Sequence, residues 1–445
     1  MRSFTDTMHD PDLLGAMFPD LRTWQNWLTV CRALFAEPEQ PGDLETLTAL
    51  SGRDVWPSEP SREATFICGR QSGKSRTAAA LGTYLAICED YRMVLAPGGR
   101  AVIAVLAADR DQAKVLLDYI RAFFDAPLLR RMITRETAEG FELTNGAVIQ
   151  VMTASYRKIR GRTFKAIIAD EVAFWMIEGS NPASEIFTAA RPGLMTLRGL
   201  LIKITTPYMQ SGPVYEDFKN YYGVDDARTL VIWAASREMN ETLPQADIDA
   251  ALEDDYEKAS AEYLKAWRSD LKSWLELSRI EANLTAPDID RPRSDHDRPY
   301  RCFVDMSGAR RDAAALAVAH CEPDDDRIFV DAIRVWKPPF NVESVVSEMV
   351  EVMRGYRISG CRGDNYGAEV VSQMFTNQGI GYERSKDSAS EIYISVLPLF
   401  NTAKVVAPDN AQLRRELAGL IRRTRRSGRD EVNHPVGAHD DLAIA

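Results

Sequence analysis

Cysteine is sparse in this chain of 445 residues, and the six that occur (Cys31, Cys68, Cys88, Cys302, Cys321, Cys361) stand singly, with no C-x-x-C pair. Neither a zinc site nor a disulfide framework is indicated, and a reducing compartment is the simpler expectation. No run approaches the ~18 consecutive apolar residues of a membrane span. The opening MRSFTDTMHDPDLL also lacks the basic start of a secretory signal, so a soluble intracellular protein is expected. Excess positive charge is missing too: 65 acidic against 54 basic residues leave a net −11. That excludes a protein basic all over and requires any nucleic-acid contact to be local. Internal repeats and low-complexity tracts are absent. At about 150 residues per domain, the length accommodates two or three domains.

What is present begins with Cys68 to Ser75, CGRQSGKS, a phosphate-binding loop of Walker A type. Such a loop needs glycine where a Cβ would block the approach of phosphate oxygens, and Gly69 and Gly73 meet that need. Lys74 is placed to reach the β and γ phosphates and Ser75 to offer its hydroxyl to Mg²⁺, at the start of a helix read from SRTAAALGTYLAI. The short apolar ATFI before the loop completes strand, loop, helix. The usual spacing would put a glycine at 68, where Cys68 stands. A second element, FKAIIADEVAFW, reads as a buried strand over Ala166 to Ala169 with Asp170 and Glu171 at its carboxyl end, where α/β folds bind ligands. Asp170 would hold Mg²⁺ and Glu171 would polarise the attacking water, so the chain is expected to hydrolyse a nucleoside triphosphate. A third apolar run, Leu200 to Ile204, ends in Thr205-Thr206-Pro207, hydroxyls placed to sense the γ phosphate or simply a strand followed by a turn. Arg70 is a candidate arginine finger in cis, with a surface ion pair as the alternative.

Along the chain, residues 1–62 read as a helical lead-in (Trp24, Trp27, Leu28, Phe35) and a Pro/Glu-rich connection. Residues 63–235 alternate β-prone runs with helical stretches, the pattern of a parallel sheet with crossover helices. Residues 236–295 are acidic and helix-periodic and end in a Pro- and charge-rich stretch, which places a boundary near residue 295. In residues 296–445 three consecutive strands, YRCFVDMSG, AAALAVAH and RIFVDAIRVW, are led by Asp305. SGCRGD then puts Asp364 at the end of another strand, and the terminal HDDLAIA carries Asp440 and Asp441 at a helix start. Three acids converging in this order suggest an RNase H-like core, whose mutual repulsion calls for divalent metal, two ions that would clamp the attacking and leaving oxygens of a phosphodiester. Asp312 is a secondary candidate. Two basic runs stand out against the acidic whole: Arg414, Arg415, Arg422, Arg423, Arg425, Arg426 and Arg429, and the earlier Arg157, Lys158, Arg160, Arg162 and Lys165. The first reads as a local footprint for a phosphate backbone or as a solvated or partner-binding face. The second would touch DNA or a neighbouring subunit.

Taken in order, GRQSGKS, RGRTFKAIIADE, ITTP, VDMSG, GDNYGAE and AHDDLAIA resemble the large terminase subunit of tailed bacteriophages and prophages. The resemblance runs over nearly the whole chain, including DPDLLGAMFPDLRTWQNWL and LPLFNTAKVVAPD. It implies an α/β architecture, a P-loop NTPase domain with a helix-flanked parallel sheet followed by an RNase H-like nuclease domain. It further implies an ATP-driven motor that moves double-stranded DNA into a procapsid through the portal and cuts the concatemer. Matched motif by motif, the resemblance implies that Gly69, Gln71, Ser72, Gly73, Lys74 and Ser75 bind ATP, Ser75 and Asp170 hold Mg²⁺ and Glu171 is the hydrolytic base, with Arg70 the candidate finger and ITTP resembling the coupling motif. Asp305, Asp364 and Asp441 resemble the nuclease ligands for Mg²⁺ or Mn²⁺, with Asp440 the alternative for the last. The implied partners are double-stranded DNA, the portal protein, the small terminase subunit and further copies in a ring on the procapsid, with a monomer in solution, no membrane, and the cytoplasm of the bacterial host. The rival readings are a helicase-like remodelling ATPase whose second half binds DNA without cutting it, and a packaging scaffold with a decayed ATPase.

Overall fold

The structure is a computed structural model and describes residues 2–107, 110–153, 159, 161–175, 183–225, 228–293, 298–306, 312–322, 325–364, 368–424, 430–434 and 440–445. The chain divides into two compact units, Met1–Ser269 and Asp270–Ala445.

In the first unit the strands are β1 (Glu63–Cys68), β2 (Ala101–Ala107), β3 (Ile133–Thr137), β4 (Gly140–Leu143), β5 (Ala147–Thr153), β6 (Phe164–Asp170), β7 (Leu200–Thr205) and β8 (Thr229–Ala234). They form one sheet in the order β3-β4-β5-β2-β6-β7-β1-β8. From β5 to β8 every neighbouring pair is parallel, whereas β3 and β4 form an antiparallel edge. The central strands β2, β6 and β7, and the edge strand β8, are buried along their whole lengths. That is why their sequences run apolar without alternation: a parallel sheet is covered on both faces. One covering layer contains the helices Gln25–Leu34, Lys74–Ile87 and Arg110–Phe123, whose Trp27, Leu81 and Leu116 join the core against Phe66 and Ile168. The other is built on Ile186, Phe187 and Val214 against Ile67, Ile167 and Leu201. β7 carries one charge into this interior. Lys203 is 1 % exposed, and its Nζ is held by Glu63 Oε2 at 3.1 Å and Asp217 Oδ2 at 2.6 Å, the pairing that burial of an ammonium demands.

In the second unit β9 (Leu271–Ser273) precedes β10 (Arg301–Asp305), β11 (Ala314–Cys321), β12 (Ile328–Trp336), β13 (Gly360–Gly363), β14 (Gly381–Arg384) and β15 (Val405–Val406). β16 (Ile421–Thr424) and β17 (Asp430–Asn433) follow. The larger sheet has the order β14-β13-β10-β11-β12-β15. β10, β11 and β12 are consecutive antiparallel strands, and β13 and β14 add in parallel beside β10. This is the RNase H-like topology, and it sets the carboxyl ends of β10 and β13 side by side. The helix Val342–Gly355 packs Val346, Met349 and Met353 on one face. On the other, Tyr393, Leu413, Leu417 and Leu442 of the helices Ala389–Asn401, Ala411–Gly419 and Asp441–Ile444 form a second core.

The stretch 236–295, read from composition as one linking subdomain, is shared out at Ser269/Asp270. The helices Gln245–Asp254 and Tyr256–Tyr263 belong to the first unit, and the helix Leu277–Asn283 to the second. The end of this helix and the Pro-rich segment after it are stitched into the second unit: Asn283 Nδ2 donates to Phe400 O at 2.9 Å, its Oδ1 accepts from Val405 N at 3.0 Å, and Arg334 pairs with Asp290. Composition marks where proline and charge accumulate, and long-range hydrogen bonds decide which core owns the segment.

Candidate nucleotide and metal sites

β7 lies between β6 and β1, so three strand ends adjoin: the loop after Cys68, the Asp170-Glu171 pair and Thr205-Thr206. Cys68 is the last residue of β1, registered opposite Ala234, fully buried, and its thiol is pushed up to about 12 by desolvation. The position where a glycine is usual is therefore still strand, and a side chain fits there. Gly69 and Gly73 do the work that glycine chemistry requires. A Cβ on Gly69 would clash with the Ser236 hydroxyl and come within 2.8 Å of Ser236 N. Gly73 has φ +88° and its Cβ would lie 2.8 Å from the Trp24 ring.

The backbone of the loop is gripped from outside. Gly69 N donates to Ala234 O at 3.0 Å and Arg70 N to Glu262 O at 2.6 Å. Ser236 Oγ donates to Arg70 O at 2.6 Å, Asn240 Nδ2 to Gln71 O at 2.9 Å and Trp27 Nε1 to Ser72 O at 2.7 Å. Gln71 takes a left-handed conformation, φ +58°. Gln71, Ser72, Gly73, Lys74 and Ser75 then line a cavity of about 440 Å³, whose other wall includes Trp24, Tyr119, Asn240 and Thr242. None of those wall residues carries a motif. Trp24 and Trp27 lie in the stretch that reads as a helical lead-in, and only the fold brings them to the loop.

Lys74 is 6 % exposed, with Nζ 3.7 Å from Glu171 Oε1. Glu171 has φ +50°, a strained backbone for a residue with a Cβ, and its Oε2 lies 3.4 Å from Thr205 Oγ1, Thr206 N and Thr206 Oγ1. Asp170 is buried, and its Oδ1 has no hydrogen-bond partner among the described residues. Its carboxyl is pushed up to about 7, chiefly by desolvation and next by the neighbouring Glu171, with Lys74 opposing. A buried carboxylate oxygen with no donor among the described residues, next to Glu171 and within the field of Lys74, fits a hard divalent cation. Gly69, Arg70, Asp170 and Glu171 lie outside the cavity lining, and Arg70 is exposed with its guanidinium 3.6 Å from Glu262 Oε2.

In the second unit Asp305 ends β10 and Asp364 follows β13, one residue beyond the Val304–Gly363 register pair. Gly363 has no room for a side chain, since a Cβ would meet Val304 O at 2.7 Å and clash with the Tyr382 hydroxyl. Tyr382 in turn donates to Asp364 O at 2.9 Å. Asp441 opens the last helix, and its Oδ2 accepts from Ala313 N at 3.2 Å, just ahead of β11. The Asp305 carboxyl is pushed up to about 8, first by burial, then by Asp364, Asp441, Asp440 and Glu416 in that order. Asp440 is engaged elsewhere: Tyr393 OH donates to its Oδ2 at 2.8 Å, and His434 Nε2 lies 3.6 Å from its Oδ1. Asp312 is exposed. Among the described residues no group of three or more His, Cys, Asp or Glu side chains is closed up tightly enough to hold a metal ion. The Asp305 carboxyl feels Asp364, Asp441 and Asp440 as neighbouring like charges. An all-carboxylate donor set of this kind suits Mg²⁺ or Mn²⁺. Tyr382, Tyr393 and Glu416 carry no sequence signal.

The arginine-rich stretch is partly spent internally. Arg414 pairs with Asp409, Arg422 with Asp430 and Arg423 with Asp270. Arg425, Arg426 and Arg429 lie outside the described residues, as do Arg157, Lys158 and Arg160 of the earlier basic run. Lys165 pairs with Glu89 at 2.9 Å.

Fold and site together define a protein with a P-loop α/β unit followed by an RNase H-like α/β unit. No family model matches the sequence, and no curated protein matches it. Among solved structures the chain is similar to the HK97 bacteriophage large terminase at 14 % identity and TM-score 0.39, over 87 % of this chain and 90 % of that one. It is similar to the large terminase of thermophilic bacteriophage D6E in complex with ATP-gamma-S at 11 % identity and TM-score 0.37, over 86 % and 92 %. The magnesium-bound large terminase nuclease from thermophilic phage G20c is similar at 16 % identity and TM-score 0.32, over 38 % of this chain and 92 % of its own. Likeness at this level bears no weight on chemistry, which the side chains must supply. No helix among the described residues is long and apolar enough to cross a membrane.

Proposed function

We propose that the chain is the large subunit of a viral DNA-packaging terminase, an ATP-driven motor on double-stranded DNA and a metal-dependent DNA endonuclease. The observation that carries the reading is the pairing, in one chain, of a P-loop cavity beside Lys74, Asp170 and Glu171 with an RNase H-like sheet that sets Asp305 and Asp364 at adjacent strand ends. At the first site Lys74 meets the β and γ phosphates of ATP, and Glu171 orients and deprotonates the attacking water, with Thr205 and Thr206 holding its second oxygen. Ser75 and Asp170 would hold Mg²⁺ there, and Asp305, Asp364 and Asp441 would hold Mg²⁺ or Mn²⁺ in the second unit. When bound, these ions supply charge neutralisation at the phosphates and Lewis acidity toward the scissile phosphodiester. Tyr393 holds Asp440 aside, which favours Asp441 over Asp440 as the ligand. Arg70 serves as a finger in cis once its guanidinium leaves Glu262. Portal protein, small subunit and a ring of copies on the procapsid, in the cytoplasm of a bacterial host, complete the reading.

Plasmid cutting and ATP turnover by the purified protein test it. Glu171→Gln is expected to lower ATP turnover by about 10²–10⁴-fold and leave cutting in Mg²⁺ or Mn²⁺ intact. Asp305→Ala should abolish cutting and spare ATP turnover, and EDTA should stop both. Loss of both activities in each folded variant would overturn the two-site reading. Intact ATP turnover with no cutting in any metal would leave the remodelling ATPase.

A further inference from the structure

Glu416 belongs to the helix Ala411–Gly419, inside the stretch whose arginines suggest a phosphate contact, yet it is 7 % exposed and turned inward. Its Oε2 accepts from two backbone amides at once, Leu442 N at 2.8 Å and Ala443 N at 2.9 Å, and its Oε1 accepts from Gln412 Nε2 at 2.8 Å. Those two amides belong to the first turn of the helix Asp441–Ile444, where backbone donors have no partner within the helix. The local residue that would ordinarily satisfy them, Asp440, makes no capping bond, because its carboxylate takes the Tyr393 hydroxyl instead. The cap therefore comes from a residue 26 positions upstream.

This arrangement defines Asp441 from two directions. Its side chain accepts from Ala313 N, two residues before Ala315, which is registered opposite Asp305. Its own peptide runs into the turn that Glu416 holds. A neutral side chain would satisfy the same amides without adding negative charge beside Asp305 and Asp441, a cost reflected in the upward push that burial gives the Glu416 carboxyl. We infer that Glu416 is a positioning residue of the nuclease centre, clamping the first turn of the last helix so that Asp441 is presented to the Asp305–Asp364 edge; this rests on the nuclease reading above.

The test uses the full chain and compares wild type with Glu416→Ala and Glu416→Gln. It reads the Mn²⁺ concentration for half-maximal plasmid cutting, the rise in melting temperature on adding Mn²⁺, and ATP turnover as a folding control. Glutamine retains one carbonyl oxygen for both amides, and Gln412 can reverse its own amide to match. Glu416→Gln is therefore expected to keep half-maximal cutting close to wild type. Glu416→Ala should raise it by about tenfold or more and shrink the Mn²⁺-induced melting shift, with most of the maximal rate regained at saturating metal. If Glu416→Ala fails to fold, Glu416→Asp keeps the charge and withdraws it by one methylene, and the same rise in half-maximal Mn²⁺ is expected. Wild-type metal dependence in the alanine or aspartate variant overturns the inference, as does a glutamine variant as impaired as the alanine one. Wild-type protein that neither cuts nor gains stability with Mn²⁺ removes the nuclease reading itself.

Discussion

At the scale of single residues the ionisation of Asp305 gives the most direct handle. Its folded-state value of about 8 stands far above the ordinary 3.8, through burial first and then three aspartates and a glutamate. Below about pH 4 the carboxyl is protonated in both states and costs nothing. Between about 4 and 8 the unfolded chain releases the proton while the folded one keeps it, so stability falls as pH rises through that window and levels off above it. In EDTA, Asp305→Asn should remove this slope. Its melting temperature at pH 8 should exceed that of wild type by roughly 4 °C or more, at about 2–4 °C per kcal/mol for a unit of this size. An unchanged slope in the variant would show that the cluster is ionised at neutral pH without metal. Cys68 departs from the motif at a position whose backbone is still strand, registered opposite Ala234.

Among elements, the phosphate loop is shaped as much by what lies behind it as by its own sequence. Ser236 and Asn240, at the helix Ser236–Met239 and its end, and Trp27 of the helix Gln25–Leu34 hold three successive loop carbonyls. Trp27→Phe keeps an aromatic ring against Phe66 but removes the indole N–H together with the volume of the second ring, leaving Ser72 O without that donor in a buried place. That costs about 1–3 kcal/mol of loop order. The expected result is a KM for ATP raised about tenfold with kcat little changed, and an unaltered KM would show that the loop holds its shape unaided. Glycines, lysine and the Asp-Glu pair make the loop legible as a nucleotide site, since their spacing follows from backbone geometry. The clamps are not legible, because a tryptophan 45 residues upstream looks like any other core aromatic until the helix is docked.

For the whole molecule, the first unit has one sheet and the second two, and each unit has its own pair of cores. Residues 1–269 expressed alone should hydrolyse ATP, and residues 270–445 should cut plasmid in Mn²⁺. A fragment begun at 296 should fold poorly, because it loses Trp274, Leu275, Ile280 and Leu284 from the core shared with Tyr393 and Leu417. Circular dichroism and thermal melts of the two C-terminal fragments check this, and equal stability would move the functional boundary back toward residue 295.

Strand order in time was readable from the chain: an apolar strand into GKS, an apolar strand into Asp-Glu, then three strands led by an aspartate, because local geometry ties those residue types to those backbone shapes. Which strands become neighbours was not. Placing β7 between β1 and β6 brings Thr205 and Thr206 to Glu171, and placing β13 beside β10 brings Asp364 to Asp305. Arg70 meets its ion-pair partner, Glu262, from the helix Tyr256–Tyr263, and Asp440 meets a tyrosine 47 residues away, contacts that no local pattern encodes. Local sequence sets what a short segment can be, since its own backbone and side chains settle that. Long-range burial and hydrogen bonding settle where it points, since the free energy of a buried carboxylate depends on every group packed around it.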